Sequence, residues 1–275
     1  MTKTLVHISD LHFGDPKGVL NRDDVARVVR ALLQTAGPGA LLLLSGDISF
    51  KGEERGYAEA SEALSQAVND VGFPRNQIVV CPGNHDVVVS APGGSPFSAF
   101  DAWSANLRRD KRCTFSGDHS CRRVTFPEAD FLVINTAYHA DLEYGFVDLP
   151  KMESVLAEMG MMPVSGQPRI ALLHHHLIPF ARNDHSTTRN AYAVLSALVR
   201  HGFALVLHGH QHALLELGIG DGSLQICGVG SFRYVTPGFV NGASIYRFDE
   251  KGQVSTQHYA ISKDAPGLLR AFTDF

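Results

Sequence analysis

Long apolar runs are missing from this chain. The longest, such as Ala40 to Leu44, falls far short of the ~20 residues a helix needs to cross a bilayer, so no membrane partner is expected. A leader pattern is missing too: strand texture begins at Thr4 to Ser9, and a cytoplasmic location is expected. Cysteine is scarce. Cys81, Cys113, Cys121 and Cys227 are widely spaced and form no C-x-x-C pair, which points to reduced thiols. A basic excess is absent as well. The formal net charge of -4 speaks against a general nucleic-acid scaffold, so nucleic acid is not expected as a partner. It leaves room for a small anionic substrate held by metals. With 44% hydrophobic and 19% charged residues in 275, a globular core is expected and disorder is not.

Histidine, by contrast, is abundant, with 14 in the chain. Several follow apolar runs. Val79-Val80-Cys81 ends in Pro82-Gly83, and then Asn84, His85 and Asp86 supply an amide, an imidazole and a carboxylate. The same arrangement recurs. Asp10 and His12 follow Leu5 to Ile8, and Asp47 follows Leu41 to Leu44 through Ser45-Gly46. His174 follows Ile170 to Leu173, and Gly209-His210-Gln211-His212 follows Ala204 to Leu207. Five strands therefore end in ligand-type residues.

Between the first three of these strands lie helical patterns. Asp23 to Ala36 carries Val25, Val28, Val29, Leu32 and Leu33 at helical spacing and stops at Gly37-Pro38. Tyr57 to Val71 does the same with Ala60, Leu64, Ala67 and Val68, after a polar loop from Ile48 to Gly56. The strand-helix alternation predicts parallel neighbours with right-handed crossovers, and such sheets bind ligands beyond the carboxyl ends of their strands. All five ligand stretches sit at such ends, so they can converge. Further on, the pattern predicts helices at Phe97 to Leu107, Pro150 to Met159 (Pro first) and Ala191 to Arg200. It predicts strands at Phe131 to Asn135 and Arg169 to Leu173. After His212, short strands at Leu214 to Ile219, Leu224 to Cys227, Ile245 to Phe248 and Val254 to Tyr259, with a Gly220-Asp221-Gly222 turn, read as an antiparallel meander and a second sheet. No repeat or linker interrupts the chain, so residues 1–275 are read as one domain. Residues 85–130 are read as a cap or substrate-side insertion. Its basic stretch, Arg108 to Arg123, is either a solvated face or a receiver for an anionic substrate.

Asp10, His12, Asp47, Asn84, His174, His210 and His212 combine carboxylates, imidazoles and one amide. That set suits Mn, Fe, Zn or Co rather than a thiolate-seeking ion. Seven ligands exceed one open site and fit two divalent ions ~3.5–4 Å apart that share a carboxylate. Asp47, on a strand between those of Asp10 and Asn84, is the expected bridge. Such a pair makes a bridging water a hydroxide near neutral pH and stabilises phosphoryl charge. His85, beside a ligand, is the expected substrate-side acid, with Asp86 orienting it or a ligand imidazole. His7, His119, His201 and His258 are read as ordinary surface or core histidines, and His175, His176 and His208 as packing or support for the ligands.

Asp10-Leu11-His12, Gly46-Asp47, Gly83-Asn84-His85-Asp86, His174 and Gly209-His210-Gln211-His212 resemble the five signature blocks of the calcineurin-like metallophosphoesterase superfamily. The resemblance implies an α/β fold of four layers, an αββα sandwich of two mixed sheets flanked by helices, with a dinuclear site at the strand C-terminal ends. It implies one ion on Asp10, His12, Asp47 and His212 and the other on Asp47, Asn84, His174 and His210. The protein Ser/Thr phosphatase branch carries Asp-Arg-Gly after its second block and Glu after Asn-His; Ile48-Ser49 and Asp86 stand here instead. Purple acid phosphatases place a tyrosine where Phe50 stands. The run Gly46 to Gly52 with Tyr57, and His174-His175, is similar to the class III cyclic-nucleotide phosphodiesterases. The expected activity is hydrolysis of a small phosphodiester such as a cyclic nucleotide, with a phosphomonoesterase as the alternative and a nuclease or a non-catalytic adaptor behind it. The loops at Phe50, Ala91 to Pro96, Tyr138-His139 and Arg182 to His185 are where substrate choice is expected to lie.

Overall fold

A computed structural model describes residues 3–89, 94–117, 119–164, 166–220, 222–262, 264–265 and 267–272. Its first half runs β1 (Lys3–Ile8), α1 (Arg22–Ala36), β2 (Leu41–Ser45), α2 (Glu54–Asp70), β3 (Ile78–Cys81), α3 (Ser98–Arg108), β4 (Cys121–Thr125) and β5 (Asp130–Ile134). Then come α4 (Leu149–Met159), β6 (Arg169–Leu172), α5 (Ala191–Arg200), β7 (Phe203–His208), β8 (Leu215–Ile219), β9 (Leu224–Gly228), β10 (Gly242–Phe248), β11 (Val254–Ala260) and β12 (Arg270–Ala271).

The described residues form two six-stranded sheets. One has the order β12-β11-β10-β1-β2-β3 and the other β4-β5-β6-β7-β9-β8. In the first, β1, β2 and β3 are parallel, with Leu5 opposite Leu41 and Leu42 opposite Ile78. In the second, β5, β6, β7 and β9 are parallel. Both sheets are mixed, because β10 to β12 and the β4 and β8 edges run antiparallel.

Side-chain alternation shows the layers. Phe131, Val133, Ile170, Leu172, Leu205 and Leu207 join the core that the first sheet shares. Their chain neighbours Leu132, Ile134, Ala171, Leu173 and Val206 join a second core with Met152, Leu156, Val194 and Leu198 of α4 and α5. A strand's side chains point to opposite faces in turn, so the second sheet packs on the first with one face and on its helices with the other. On the far side α1 and α2 cover the first sheet with Val25, Leu32, Ala60 and Leu64.

The C-terminal strands depart from the expected separate second sheet. β8 and β9 extend the sheet of β7, while β10 to β12 cross to the first sheet and pair antiparallel beside β1. Alternation along a short strand does not say which sheet it joins. α2 starts at Glu54 rather than Tyr57, because its first turn is polar and carries no apolar periodicity. Pro150 falls one residue inside α4, whose N-cap is Asp148. Within 85–130, α3 packs on α2 through rings of Trp103 and Tyr57 5.7 Å apart, and β4 forms a sheet edge that the basic stretch had hidden. Four of the arginines there have partners in the protein: Arg108 and Arg112 pair with Asp110, Arg123 with Asp130, and Arg122 donates to the Thr114 carbonyl. Residues 91–93 of the expected 91–96 loop, and Asp221 of the Gly220-Gly222 turn, lie outside the described residues. Among the described residues, no helix is long and apolar enough to cross a membrane. The four cysteines are free and buried.

Arg169 joins the ends of two helices. Its guanidinium donates to the carbonyls of Gly160 and Met162 (each 2.8 Å), of His201 (2.7 Å) and of Met159. These oxygens lie at or just past the C-termini of α4 and α5, where helix carbonyls lack partners and a cation is favoured. Arg169→Met is expected to destabilise the fold by about 3 kcal/mol, given ~1.5–3 for a hydrogen bond to a charged group and imperfect additivity. Urea denaturation measures this; a loss below about 1 kcal/mol would mean that water caps those ends equally well.

His7 is buried in β1, its Nε2 2.8 Å from Ser45 Oγ. Burial, and next the neighbouring His208, push its pKa from 6.5 down to about 3. The folded state therefore holds it neutral while the unfolded chain protonates below 6.5. Its stabilisation is complete above that pH and is lost as pH falls towards 3, at up to about 1.4 kcal/mol per unit. Urea denaturation between pH 7 and 4 is expected to show this slope, and His7→Gln to reduce it by about one proton. An unchanged slope would mean that His7 protonates inside the fold.

Candidate metal centre

The five ligand stretches meet at the carboxyl ends of β1, β2, β3, β6 and β7, between the sheets. Backbone hydrogen bonds zip the first two loops together beyond their strands: Asp10 N–H to Gly46 O, His12 N–H to Asp47 O and Phe13 N–H to Ile48 O. Five of the seven expected ligands adopt left-handed backbone: Asp10 (φ 56°), His12 (43°), Asp47 (53°), His210 (67°) and His212 (55°). Non-glycine residues rarely do so, and each instance costs on the order of 1–3 kcal/mol. Sharp left-handed bends turn these side chains inward. Two glycines permit the crowding: a Cβ on Gly83 would overlap the Asp47 carboxylate, and one on Gly209 would overlap Ser9 Oγ.

Each carboxylate keeps one oxygen anchored and one directed inward. Asp47 Oδ1 accepts the His85 N–H (2.9 Å), while Oδ2 lies 3.5 Å from His12 Nε2 and 3.3 Å from His174 Nε2. Asp10 Oδ2 accepts the His210 N–H (3.2 Å), while Oδ1 lies 3.2 Å from His212 Nε2 and 3.7 Å from His12 Nε2. Asn84 donates its amide N–H to Leu142 O, which leaves its oxygen 3.0 Å from His174 Nε2. His210 Nδ1 is 3.2 Å from that same nitrogen. The far nitrogens are held as well, His174 Nδ1 by Ser45 O (2.7 Å) and His212 Nδ1 by Thr236 Oγ1 (2.5 Å). Such outer contacts fix an imidazole's tautomer and aim its other nitrogen.

Donor atoms close enough to hold an ion fall into the groups Asp10–His12–His212 and Asp47–His174–His210, with His12–Asp47–His85 between them. Both ring nitrogens of His12 are buried without a hydrogen-bond partner. An orphaned imidazole between two carboxylates fits a metal better than an empty pocket, since unpartnered buried polar atoms are rare. The donor set fits two divalent ions.

Electrostatics agree with so tight a cluster. Burial alone would raise Asp10 and Asp47, yet the surrounding imidazoles, His212 for Asp10 and His174 for Asp47, hold both well below the usual carboxylate range. Burial works against the charged form of His174, but Asp47 outweighs it and carries the imidazole up to about 9. His210 goes the other way, pushed down to about 3 by burial and then by His174.

His85 lines a cavity of about 160 Å³ with His12, Asp15, Asp47, Phe50, His210, His212 and Tyr234. Its ring stands edge-on to His12 (4.8 Å) and stacks on Phe50 (5.5 Å). Burial lowers its pKa, against the pull of Asp47. Asp86 does not take the expected part. Its carboxylate accepts the N–H groups of Ile48 and Ser49 (each 3.1 Å) and Gly83 (2.9 Å) and the Tyr57 hydroxyl (3.0 Å). With these partners it ties the β2 and β3 loops together and orients no imidazole. Burial, then Asp47, raises it to about 6.

The flanking histidines support the site from outside. His175 bonds Thr136 Oγ1 (2.8 Å), His176 bonds Asp184 (2.7 Å), and His208 Nδ1 lies 3.1 Å from Gly209 O. His201 and His258 bond elsewhere, to Ala197 O and to Ser244 and Glu216. Phe50, from the expected substrate loops, lines the cavity, whereas Tyr138 and His139 line a separate one of about 300 Å³. Asp184, inside the expected Arg182 to His185 loop, holds His176 and the Phe180 N–H, while Tyr234, Thr236 and Asp15 escaped the sequence reading. Tyr234 and Thr236 follow β9, an apolar strand with no ligand-type residue behind it, so that signal was missing.

Fold and site define a two-sheet sandwich built around a paired carboxylate–imidazole cluster. The family model for calcineurin-like phosphoesterases matches residues 3–214, and the chain belongs to that family. Members use a dinuclear divalent metal centre. No curated protein sequence matches the chain. Among solved structures it resembles the purple acid phosphatase PPD1 of yellow lupin (Lupinus luteus), at 12% identity and TM-score 0.57, covering 99% of this chain and 53% of that one. It also resembles the phosphopantetheinyl hydrolase of Mycobacterium tuberculosis, at 17% and 0.51, covering 83% and 90%. A third is a 5'-nucleotidase precursor of Thermus thermophilus, at 14% and 0.50, covering 94% and 54%. The chain thus spans about half the length of the first and third, and these likenesses speak to fold alone.

Asp47→Asn is expected to bring metal content, measured by elemental analysis of purified protein, from two ions per chain to well below one, because Oδ2 faces both groups. Retention of both ions would show that Asp47 is not shared.

Proposed function

We propose that the chain hydrolyses a small phosphodiester with two divalent ions. One would sit on Asp10, His12, Asp47 and His212 and the other on Asp47, Asn84, His174 and His210. The observation that carries this is the single Asp47 oxygen within 3.5 Å of His12 Nε2 and 3.3 Å of His174 Nε2. Ions held there lower the pKa of bound water and neutralise phosphoryl charge. The protein's own side chains do the rest. Asp47, fixed by the His85 N–H, sets the spacing of the two groups. Asn84 and the backbone-anchored His174 hold one end, and Thr236 aims His212 at the other. His85, on the cavity wall against Phe50, gives an imidazole N–H to a phosphoryl oxygen or a proton to the departing alkoxide. Asp86 acts at a distance by keeping the two loops in register.

The preference for a diester rests on the stretch Gly46 to Gly52 and Tyr57, similar to cyclic-nucleotide phosphodiesterases. That stretch builds one wall of the cavity through Asp47 and Phe50, and Tyr57 holds Asp86. A monoesterase is the second reading, favoured by the fold shared with a purple acid phosphatase and a 5'-nucleotidase precursor. We read residues 1–275 as one working domain because both sheets supply side chains to the one cluster. In 85–130, His85 is the substrate-side contribution.

On metal-stripped protein reloaded with Mn, Fe, Zn or Co, bis(p-nitrophenyl) phosphate is expected to be turned over with higher kcat/KM than p-nitrophenyl phosphate. The reverse order would move the assignment to a monoesterase. His85→Ala is expected to keep its metal and lose about 10²–10⁴-fold in kcat, the usual reach of a positioned proton donor. Metal loss in step with rate would place His85 among the ligands.

A further inference from the structure

Five large apolar side chains that solvent reaches sit on loops tied to the ligand residues. Phe180 is 61% exposed, Val240 51%, Val235 40%, Phe239 37% and Leu142 59%. Val235, Phe239 and Val240 flank Thr236, whose hydroxyl holds His212, and Phe239 N–H turns back onto Thr236 O. Val235 also follows Tyr234, a wall of the catalytic cavity. Phe180 belongs to a loop pinned by Asp184, which accepts the Phe180 N–H (3.0 Å) and is bonded by His176 and Gln211, the residue between His210 and His212. Leu142 accepts the Asn84 amide through its carbonyl. The two longer loops touch at their tips, where the Phe180 and Phe239 rings lie 6.0 Å apart.

Scattered exposed apolar residues are ordinary, but an apolar cluster joined to a polar site has a use. This one adjoins the cavity wall through Tyr234, which Val235 follows, and its loops are anchored by the residues that hold His212 and Asn84. The cavity itself, about 160 Å³, is walled by four imidazoles, two carboxylates, Phe50 and Tyr234. An ester group too large for it extends outside, and the chain that follows Tyr234 carries Val235, Phe239 and Val240 exposed.

We propose that Phe180, Phe239, Val235 and Val240 form a lip that receives an apolar group of the substrate, so that the substrate is a phosphoester with an alkyl or arylalkyl arm. The proposal rests on the phosphoesterase reading and deepens it. The lip acts on binding, so its signature lies in KM and not in kcat.

The test is a series of p-nitrophenyl alkyl phosphates (methyl, butyl and octyl), used below their micellar concentrations. Full burial is worth about fourfold per methylene. On an open lip, KM is expected to fall at least about tenfold from methyl to octyl with kcat nearly constant. The F180S/F239S double variant is expected to flatten that trend to under about twofold. Tyr192→Ser, at an exposed position of α5, is expected to keep it. Binding of methyl-, butyl- and octylphosphonate by calorimetry gives a readout that needs no turnover. If neither diesters nor monoesters are hydrolysed while phosphonate affinity still rises with chain length and falls in the double variant, the phosphoesterase reading fails and the lip stands. A flat series in both assays, or a trend kept by the double variant, overturns the proposal. So would a flat series in which the double variant instead abolished self-association or sedimentation with phosphatidylcholine vesicles, since the lip would then serve a second copy or a lipid surface.

Discussion

One carboxylate oxygen sits between two sets of imidazoles, and the architecture around it can be read as the means of keeping it there. Asp47 Oδ2 faces His12 from the first sheet and His174 from the second. A buried carboxylate is tolerated only when its charge is met. Here it is met from both sheets at once. The two halves of the sandwich are thus held to a fixed separation at this end, and a shift of one sheet along the other would leave a buried charge without its partners.

The loops meet this demand by local strain. Left-handed backbone at Asp10, His12, Asp47, His210 and His212 bends the chain directly after each strand and sends the side chain back over the sheet end. Ordinary loops would relax out of these conformations. Here the bends are over-determined by backbone pairing between the β1 and β2 loops, by Asp86 across the β2 and β3 loops, and by Ser231 and Arg233 on the Asp10 carbonyl. Strain at these five positions is thereby offset by hydrogen bonds, those of Asp86, Ser231 and Arg233 coming from outside the cavity lining. Asp86 is the best example: a carboxylate next to His85 in sequence, it accepts N–H groups of both loops and acts as a loop tie.

Function follows from what such a cluster can hold and what surrounds it. Anchoring one oxygen of each carboxylate and the outer nitrogens of His174 and His212 leaves the inner lone pairs with a single direction to face. That preorganisation suits a pair of divalent ions, and the family to which the chain belongs uses one. The same anchors extend outward. Thr236 joins His212, and Asp184 joins His176, to loops that carry exposed apolar side chains.

Much of this was legible in the chain. Apolar runs of four or five residues that stop at Asp, His or Gly-Asn-His declare strand ends and ligands together, because a buried parallel strand needs no polar alternation and ligands gather at its carboxyl end. The sequence by itself therefore determined the parallel strands, the helices between them, the seven residues that converge, and the family. Tertiary structure alone decided the rest. Whether β10 joins the first or the second sheet depends on which edge is open once the sandwich forms, and no period of two records that. The ties from Asp86 to Ile48, Ser49 and Tyr57, and the place of Tyr234 and Thr236 beside His212, are contacts between residues tens of positions apart. Such contacts are set by packing and distance, which a linear pattern of residue types does not encode.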